Sequence, residues 1–229
     1  LADFSSELHA NKPLFERIER VWQARDSLNL SSEQDRLLYL TRRRFVRAGA
    51  ALAGTDERRM KEIMARLAEL GTAFTQNLLA DEAGWHMALS EDDLEGLPDF
   101  VGNAARAAGR EKGLDAPVIT LSRSALVPFL QFCPRRDLRE RAFRAWAARG
   151  ANGGATDNRK IAAEILALRE ERARLLGHEN FAAYKLETEM ARTPATVRDL
   201  LMKVWRPAKA RAEADARVLT GMMQADGVN

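Results

Sequence analysis

The sequence predicts a mainly α fold: a multi-helix lobe that carries a small two-stranded antiparallel β insertion. Three observations predict it. Apolar residues recur at steps of three and four along most of the 229 residues. The composition is 46% hydrophobic and 30% charged with only 7% aromatic, and it is rich in the helix formers Ala, Leu, Arg and Glu. The helical pattern breaks once, at 84–122, where a poorly alternating stretch flanked by Gly84 and an acidic turn, and a β-branched stretch after turn residues, read as strands.

Asn11 is placed to cap a first helix with Pro13 near its start. Leu14, Phe15, Ile18, Val21, Trp22 and Leu28 then fall on one face. Ser31 and Ser32 precede a second helix carrying Leu37, Leu38, Phe45 and Val46, expected to stop near Gly54. Thr55 and Asp56 open a third, with the stripe Met60, Ile63, Met64, Leu67, Leu70, Phe74 and Leu78. Short connections imply antiparallel neighbours. Trp85 to Leu89 and Pro117 to Leu121 are expected to pair as strands, with a helix from Pro98 to Gly109 between them.

Helices are expected to resume at Pro134, with Leu138, Ala142, Phe143 and Trp146 inward up to Gly150. Residues 150–155 predict the most flexible loop of the chain. Thr156 and Asp157 cap the next helix, which turns Ile161, Ile165, Leu168, Leu175 and Leu176 inward and stops at Gly177. A short helix over about 179–190 follows. Thr193 and Pro194 then start a long one, with Val197, Leu200, Leu201, Val204 and Trp205 on one side and a kink expected at Pro207. The sub-regions are helical hairpins at 1–83, the β/helix insertion at 84–122 and a helical part at 123–229.

The composition excludes several classes. One cysteine, Cys133, rules out an internal disulfide or a cysteine-cluster zinc site and leans towards the cytoplasm. No apolar run is long enough to span a membrane. Lys plus Arg is 36 against 33 Asp plus Glu, a net charge of +3. The basic runs at Arg42, Arg43, Arg44 and Arg47, and from Arg135 to Arg149, alternate with acids or lie on solvated faces, so no nucleic-acid partner is expected. Residues 81–99 hold seven acids and no Lys or Arg, and read as a solvated acidic loop. The chain begins with Leu1 and no signal segment follows, so it reads as cut from something longer.

The residues alone supply no self-contained catalytic site. His9, His86 and His178 lie far apart. His178 and Glu179 resemble the start of a His-Glu-x-x-His zinc helix, but position 182 is Ala182, so the second imidazole is missing. Cys133 has no neighbouring base and reads as a packing thiol. The glycine-rich run Gly150 to Gly154 lacks the Lys-Ser/Thr pair of a phosphate loop. Glu187, Glu189, Asp157 and Glu164 read as solvated carboxylates, and Trp22, Trp85, Trp146 and Trp205 as packing anchors. Catalytic and metal residues are therefore set at none, and substrate-binding residues stay unassigned.

Longer stretches resemble a known family. The runs Phe4 to Leu8 and Asn11 to Phe15, then Phe45 to Ala50 and Leu70 to Leu79, are similar to the N-terminal half of the peptidyl-dipeptidase Dcp and oligopeptidase A group of thimet-oligopeptidase-like zinc peptidases. So are Leu138 to Phe143 with Ala148 to Gly150, and Asp157 to Arg159. The most specific run is Leu168 to Gly177, followed by Asn180 to Tyr184 and Met190 to Pro194. The resemblance implies a non-catalytic helical lobe, like the N-terminal lobe of neurolysin or thimet oligopeptidase, forming one wall of a channel for short peptides. It implies zinc in the parent enzyme but none in this fragment, because the family's His-Glu-x-x-His helix, its glutamate ligand and its oxyanion-stabilising His and Tyr have no matching position here. The implied partners are peptide substrates and the missing catalytic domain. Two other readings compete: a free-standing helical interaction module and a basic RNA-binding protein. Exposed Val218, Leu219, Met222 and Met223 on the last helix are the expected mark of a fragment.

Overall fold

The computed structural model describes residues 8–9 and 11–227, so most of the Phe4 to Leu8 run lies outside the described residues. Among the described residues the fold is mainly α with one two-stranded antiparallel sheet. In chain order the elements are α1 (Lys12–Ala24), α2 (Ser32–Arg47), α3 (Gly54–Gly84), β1 (His86–Ala88), α4 (Asp99–Glu111), β2 (Val118–Thr120), α5 (Arg123–Phe132), α6 (Arg136–Ala147), α7 (Arg159–Leu175), α8 (Phe181–Leu186) and α9 (Pro194–Ala225). The chain divides into two compact units, Leu1–Met60 with Arg169–Asn229, and Lys61–Leu168.

In the first unit, α1 starts where the Asn11 side chain accepts the Leu14 N–H at 3.0 Å, satisfying a donor that the first turn leaves free. It ends at Ala24 in a 3-10 turn, Arg25–Ser27. That turn changes the helical phase, so Leu28 leaves the expected stripe and is 46% exposed. A capping box of Ser31 and Gln34 opens α2. This helix stops at Arg47, well short of Gly54. The stop is Gly49, at φ +96°, while the Ala50 N–H returns to the Phe45 carbonyl at 3.0 Å. Gly54 instead begins α3. Phe15 and Phe45 stack 6.0 Å apart and bury with Met60, Ala173 and Tyr184.

The second unit is built around the insertion. β1 and β2 pair antiparallel, with Met87 opposite Ile119. Both side chains turn inward and are essentially fully buried. They meet Leu89, Leu94, Ala105, Leu126, Phe129, Cys133 and Ala142, with Trp85, Leu138 and Trp146 packed on the outside. Helix α4 presses against the segment entering β2 at Gly109, where a Cβ would stand 2.1 Å from the Ala116 carbonyl oxygen.

Helix α5 is absent from the sequence expectation, which resumes helices only at Pro134. Pro128 lies inside it and has no N–H to give the carbonyl four residues back. Buried Leu126, Phe129 and Cys133 hold it to the core at steps of three and four. Phe143 of α6, expected inward, is 52% exposed, while Ala142 is fully buried.

Glycine-rich 150–155 is pinned, not free. The Gly150 N–H donates to Asp81 at 2.7 Å, Asn152 Nδ2 donates to the same carboxylate at 2.9 Å, and the Thr156 hydroxyl also donates to it. Asp157 accepts the Arg159 N–H at 2.9 Å where α7 begins, so Asp157 helps to start the helix while Thr156 is turned to Asp81. In the first unit, α8 is shorter than the span of about 179–190 expected for it and is capped by Asn180. Thr193 caps α9, which remains one helix through Pro207 and has no buried residue.

Candidate functional site

The three histidines stand in unlike settings. The His9 ring lies 5.1 Å from that of Phe45. His86 occupies an outward position of β1 opposite Thr120. His178 follows the α7 stop and precedes α8, so it and Glu179 are not in a helix. That explains physically why the partial zinc motif fails: its ligands need one helical face, and here the helix starts only at Phe181. The His178 ring meets Tyr184 edge-on at 5.3 Å, with Nε2 3.8 Å from Glu187.

Among the described residues no group of three or more His, Cys, Asp or Glu side chains is arranged to hold a metal ion. The described residues thus offer no ligand set for the zinc that the resemblance implies in the parent enzyme. Cys133 is a buried core thiol at the end of α5, and burial pushes it up from the ordinary cysteine range.

Each carboxylate of the sequence set has a basic partner of its own. Glu187 pairs with Arg47 and Asp157 with Arg159. Glu164 is 2.6 Å from Arg66, and Glu189 pairs with Lys185. The hydrogen bonds from these cations hold Asp157, Glu164 and Glu189 below the usual carboxylate range. Three of the seven acids of 81–99 have basic partners: Glu82 pairs with Arg149, Glu91 with Arg106 at 2.6 Å, and Asp93 with Arg135 at 3.0 Å. Three of the six arginines from Arg135 to Arg149 are taken up in these pairs and in Arg144 to Glu140.

The glycine loop offers no phosphate cradle. Its N–H groups at Gly150, Gly153 and Gly154 are taken by Asp81, Asp157 and Asn152. Beneath it Asn158, 3% exposed, donates to the Phe74 carbonyl at 3.0 Å and accepts from Asn77 at 2.9 Å. Hydrogen bonds from Thr156, then from the Gly150 N–H, hold the Asp81 carboxyl below the usual range. Sequence reasoning missed this knot because its members lie on two distant stretches, 74–81 and 150–158.

Two surface features remain. Helix α9 presents Leu200, Leu201, Val204 and Trp205, then Val218, Leu219, Met222 and Met223, all exposed. Trp205 is therefore no packing anchor within the described residues. In the same unit, α2 and the turn after α8 enclose a cleft of about 540 Å³ lined by Arg36, Tyr39, Arg43, Glu189, Met190 and Arg192, among others. A neighbouring hollow of about 280 Å³ shares Tyr39 and Arg43 and reaches His178. Arg47 forms its floor: its guanidinium lies 3.8 Å over the Tyr184 ring and donates to the Tyr184 carbonyl at 2.9 Å. The Tyr184 hydroxyl accepts from Arg172 at 2.8 Å.

The model of peptidase family M3 matches residues 129–229. Oligopeptidase A of Haemophilus influenzae is 33% identical over 226 residues, 96% of this chain and 33% of its own length. Dipeptidyl carboxypeptidase of Salmonella typhimurium is 36% identical over 213 residues, 92% of this chain and 31% of its own length. Oligopeptidase A of Escherichia coli is 31% identical over 231 residues, 99% of this chain and 34% of its own length. The chain thus spans about a third of the length of the curated relatives it matches. These relatives, aligned along nearly all of the chain, and the family model at residues 129–229 support assigning the chain to peptidase family M3.

Proposed function

We propose that this chain is a non-catalytic part, residues 1–229, of a zinc-dependent peptidase that hydrolyses short peptides, and that it forms one wall of the substrate channel. The observation that carries the reading is the alignment of almost the whole chain with about a third of oligopeptidase A and dipeptidyl carboxypeptidase. The absence of a metal-ligand group among the described residues supports assigning hydrolysis to another part of the polypeptide. The bare apolar face of α9 supports a covering partner, which we take to be the catalytic portion of the same protein. On this reading the substrates are peptides, the metal is held elsewhere and the compartment is the cytoplasm. Among the described residues no helix is long and apolar enough to cross a membrane.

The test pairs metal analysis of the 229-residue chain with a fluorogenic-peptide assay, with and without chelator. The chain alone is expected to carry no stoichiometric zinc and to cleave nothing, while the longer parent cleaves in a chelator-sensitive way. One tightly bound zinc per chain, or chelator-sensitive cleavage by the chain itself, overturns the non-catalytic assignment. The same α9 face also favours a second reading, a helical interaction module. A parent reading frame without a His-Glu-x-x-His helix would favour it.

A further inference from the structure

The cleft between α2 and the turn after α8 has a charge arrangement that the fold does not use. Arg36 and Arg43 are two helical turns apart on α2, and both guanidiniums lie over the Tyr39 ring, 5.2 and 5.1 Å from its centroid. Arg192 faces them from the opposite lip. Among the described residues none of these three arginines pairs with a carboxylate. The two glutamates at the cleft are already neutralised, Glu187 by Arg47 and Glu189 by Lys185. The lining therefore has a net positive charge presented on planar guanidinium forks, the geometry that matches a carboxylate or phosphate group.

The lip is built, not loose. The Glu189 N–H donates to the Leu186 carbonyl at 2.9 Å and the Arg192 N–H to the Glu189 carbonyl at 3.2 Å. Arg192 itself sits at φ +60°, a left-handed conformation that a β-carbon residue adopts only when its surroundings hold it there. Met190, fully exposed beside it, adds an apolar surface to an otherwise polar mouth. A volume of about 540 Å³ accommodates a molecule of a few residues or a small metabolite, not a folded chain.

We propose that this cleft is a binding site for a small organic oxyanion: a carboxylate or phosphate group, gripped by Arg36, Arg43 and Arg192, on a molecule with an apolar part resting on Tyr39 and Met190. The assignment stands whether or not the parent is a peptidase, since it uses only side chains of this unit.

The test is calorimetric titration of the full chain with three probes: inorganic phosphate, the tripeptide Glu-Glu-Glu, and the neutral Gln-Gln-Gln. At least one anionic probe is expected to bind with a Kd of about 1 mM or tighter, and Gln-Gln-Gln at least about tenfold more weakly than Glu-Glu-Glu. Preference for phosphate marks a phosphorylated ligand; preference for Glu-Glu-Glu marks an acidic peptide. Arg36→Gln with Arg43→Gln should weaken the better probe at least about tenfold. Arg206→Gln with Arg217→Gln on α9 removes the same charge elsewhere and should change it less than about twofold. Arg192→Gln, which alters the turn and not the helix, serves if the α2 pair fails to fold, as judged by far-ultraviolet circular dichroism, and carries the same expectation. No binding of either anion, equal binding of the neutral peptide, or equal loss in the α9 control would overturn the proposal.

Discussion

The segment from Trp85 to Trp146 and helix α9 draw on the same kinds of apolar residue, spaced to share one face of each element. In the former, Met87, Ile119, Leu126 and Phe129 are no more than 1% exposed. In α9, Leu200, Leu201, Val204 and Trp205 are 58 to 64% exposed. The insertion buries its stripes because two strands and three helices converge on one small core. Helix α9 has a sound cap and a regular stripe but no cover among the described residues. Periodicity therefore identifies which residues share a face; it does not say what lies on that face.

The largest way to break this comparison is a pair of truncations. Phe129→Ala should cost about 3–5 kcal/mol, the sum of lost transfer energy and a cavity. Leu201→Ala should cost less than about 0.5 kcal/mol, as at an open surface. Urea unfolding measures both, and similar midpoints for the two variants would show that α9 is buried in solution. A smaller effect is expected at the knot of the glycine loop. Asn158→Ala removes the bonds to the Phe74 carbonyl and from the Asn77 amide and should cost about 1–3 kcal/mol in the same experiment.

The pH dependence sharpens the contrast further. Asp81 has its folded pKa held below its unfolded value by the Thr156 and Gly150 donors. Its contribution is thus present above the unfolded pKa, near 4, and is lost as pH falls through the folded pKa. Asp81→Asn should flatten the acid limb of the stability curve and leave the variant less stable than the parent chain at neutral pH. An unchanged acid limb would mean that the loop hydrogen bonds do not form. The smallest change in stability, under about 0.5 kcal/mol, is expected from Leu219→Glu with Met223→Glu. That double change should still reduce concentration-dependent self-association in sedimentation velocity, because it breaks the exposed apolar patch. A strictly monomeric parent chain would show that the patch does not drive association.

Most helices were legible because caps and stripes agree at the same positions, as at Asn11, Ser31 and Thr193. In the strand pair, β2 was legible from β-branched residues after turn signals, and β1 from its flanking Gly84 and acidic turn. Helix α5 was not, since Pro128 and Pro134 read as breakers and its apolar residues run almost continuously. Its signal was the Leu126, Phe129 and Cys133 spacing, which a proline six residues into a helix does not abolish. The α2 stop was misplaced because two glycines, Gly49 and Gly54, compete for it, and only the backbone angle and the Phe45 carbonyl decide. The oxyanion cleft left no local motif. Arg36 and Arg43 look like solvated helix charges until the fold brings Arg192 across from them.

The strand pair also has a consequence in time. β1 and β2 are three residues each and are separated by the whole of α4. Joining them closes a long loop, whose entropic cost rises with its length, and a lone two-stranded ribbon is marginal in water. The close approach at Gly109 divides that closure into two shorter ones, by letting α4 dock against the chain ahead of β2 first. The ribbon is then expected late in folding and α4 early. In pulse-labelled hydrogen exchange, the amides of α4 should gain protection before those of Met87 and Ile119. Gly109→Ala should delay protection of both α4 and the strands by obstructing the dock.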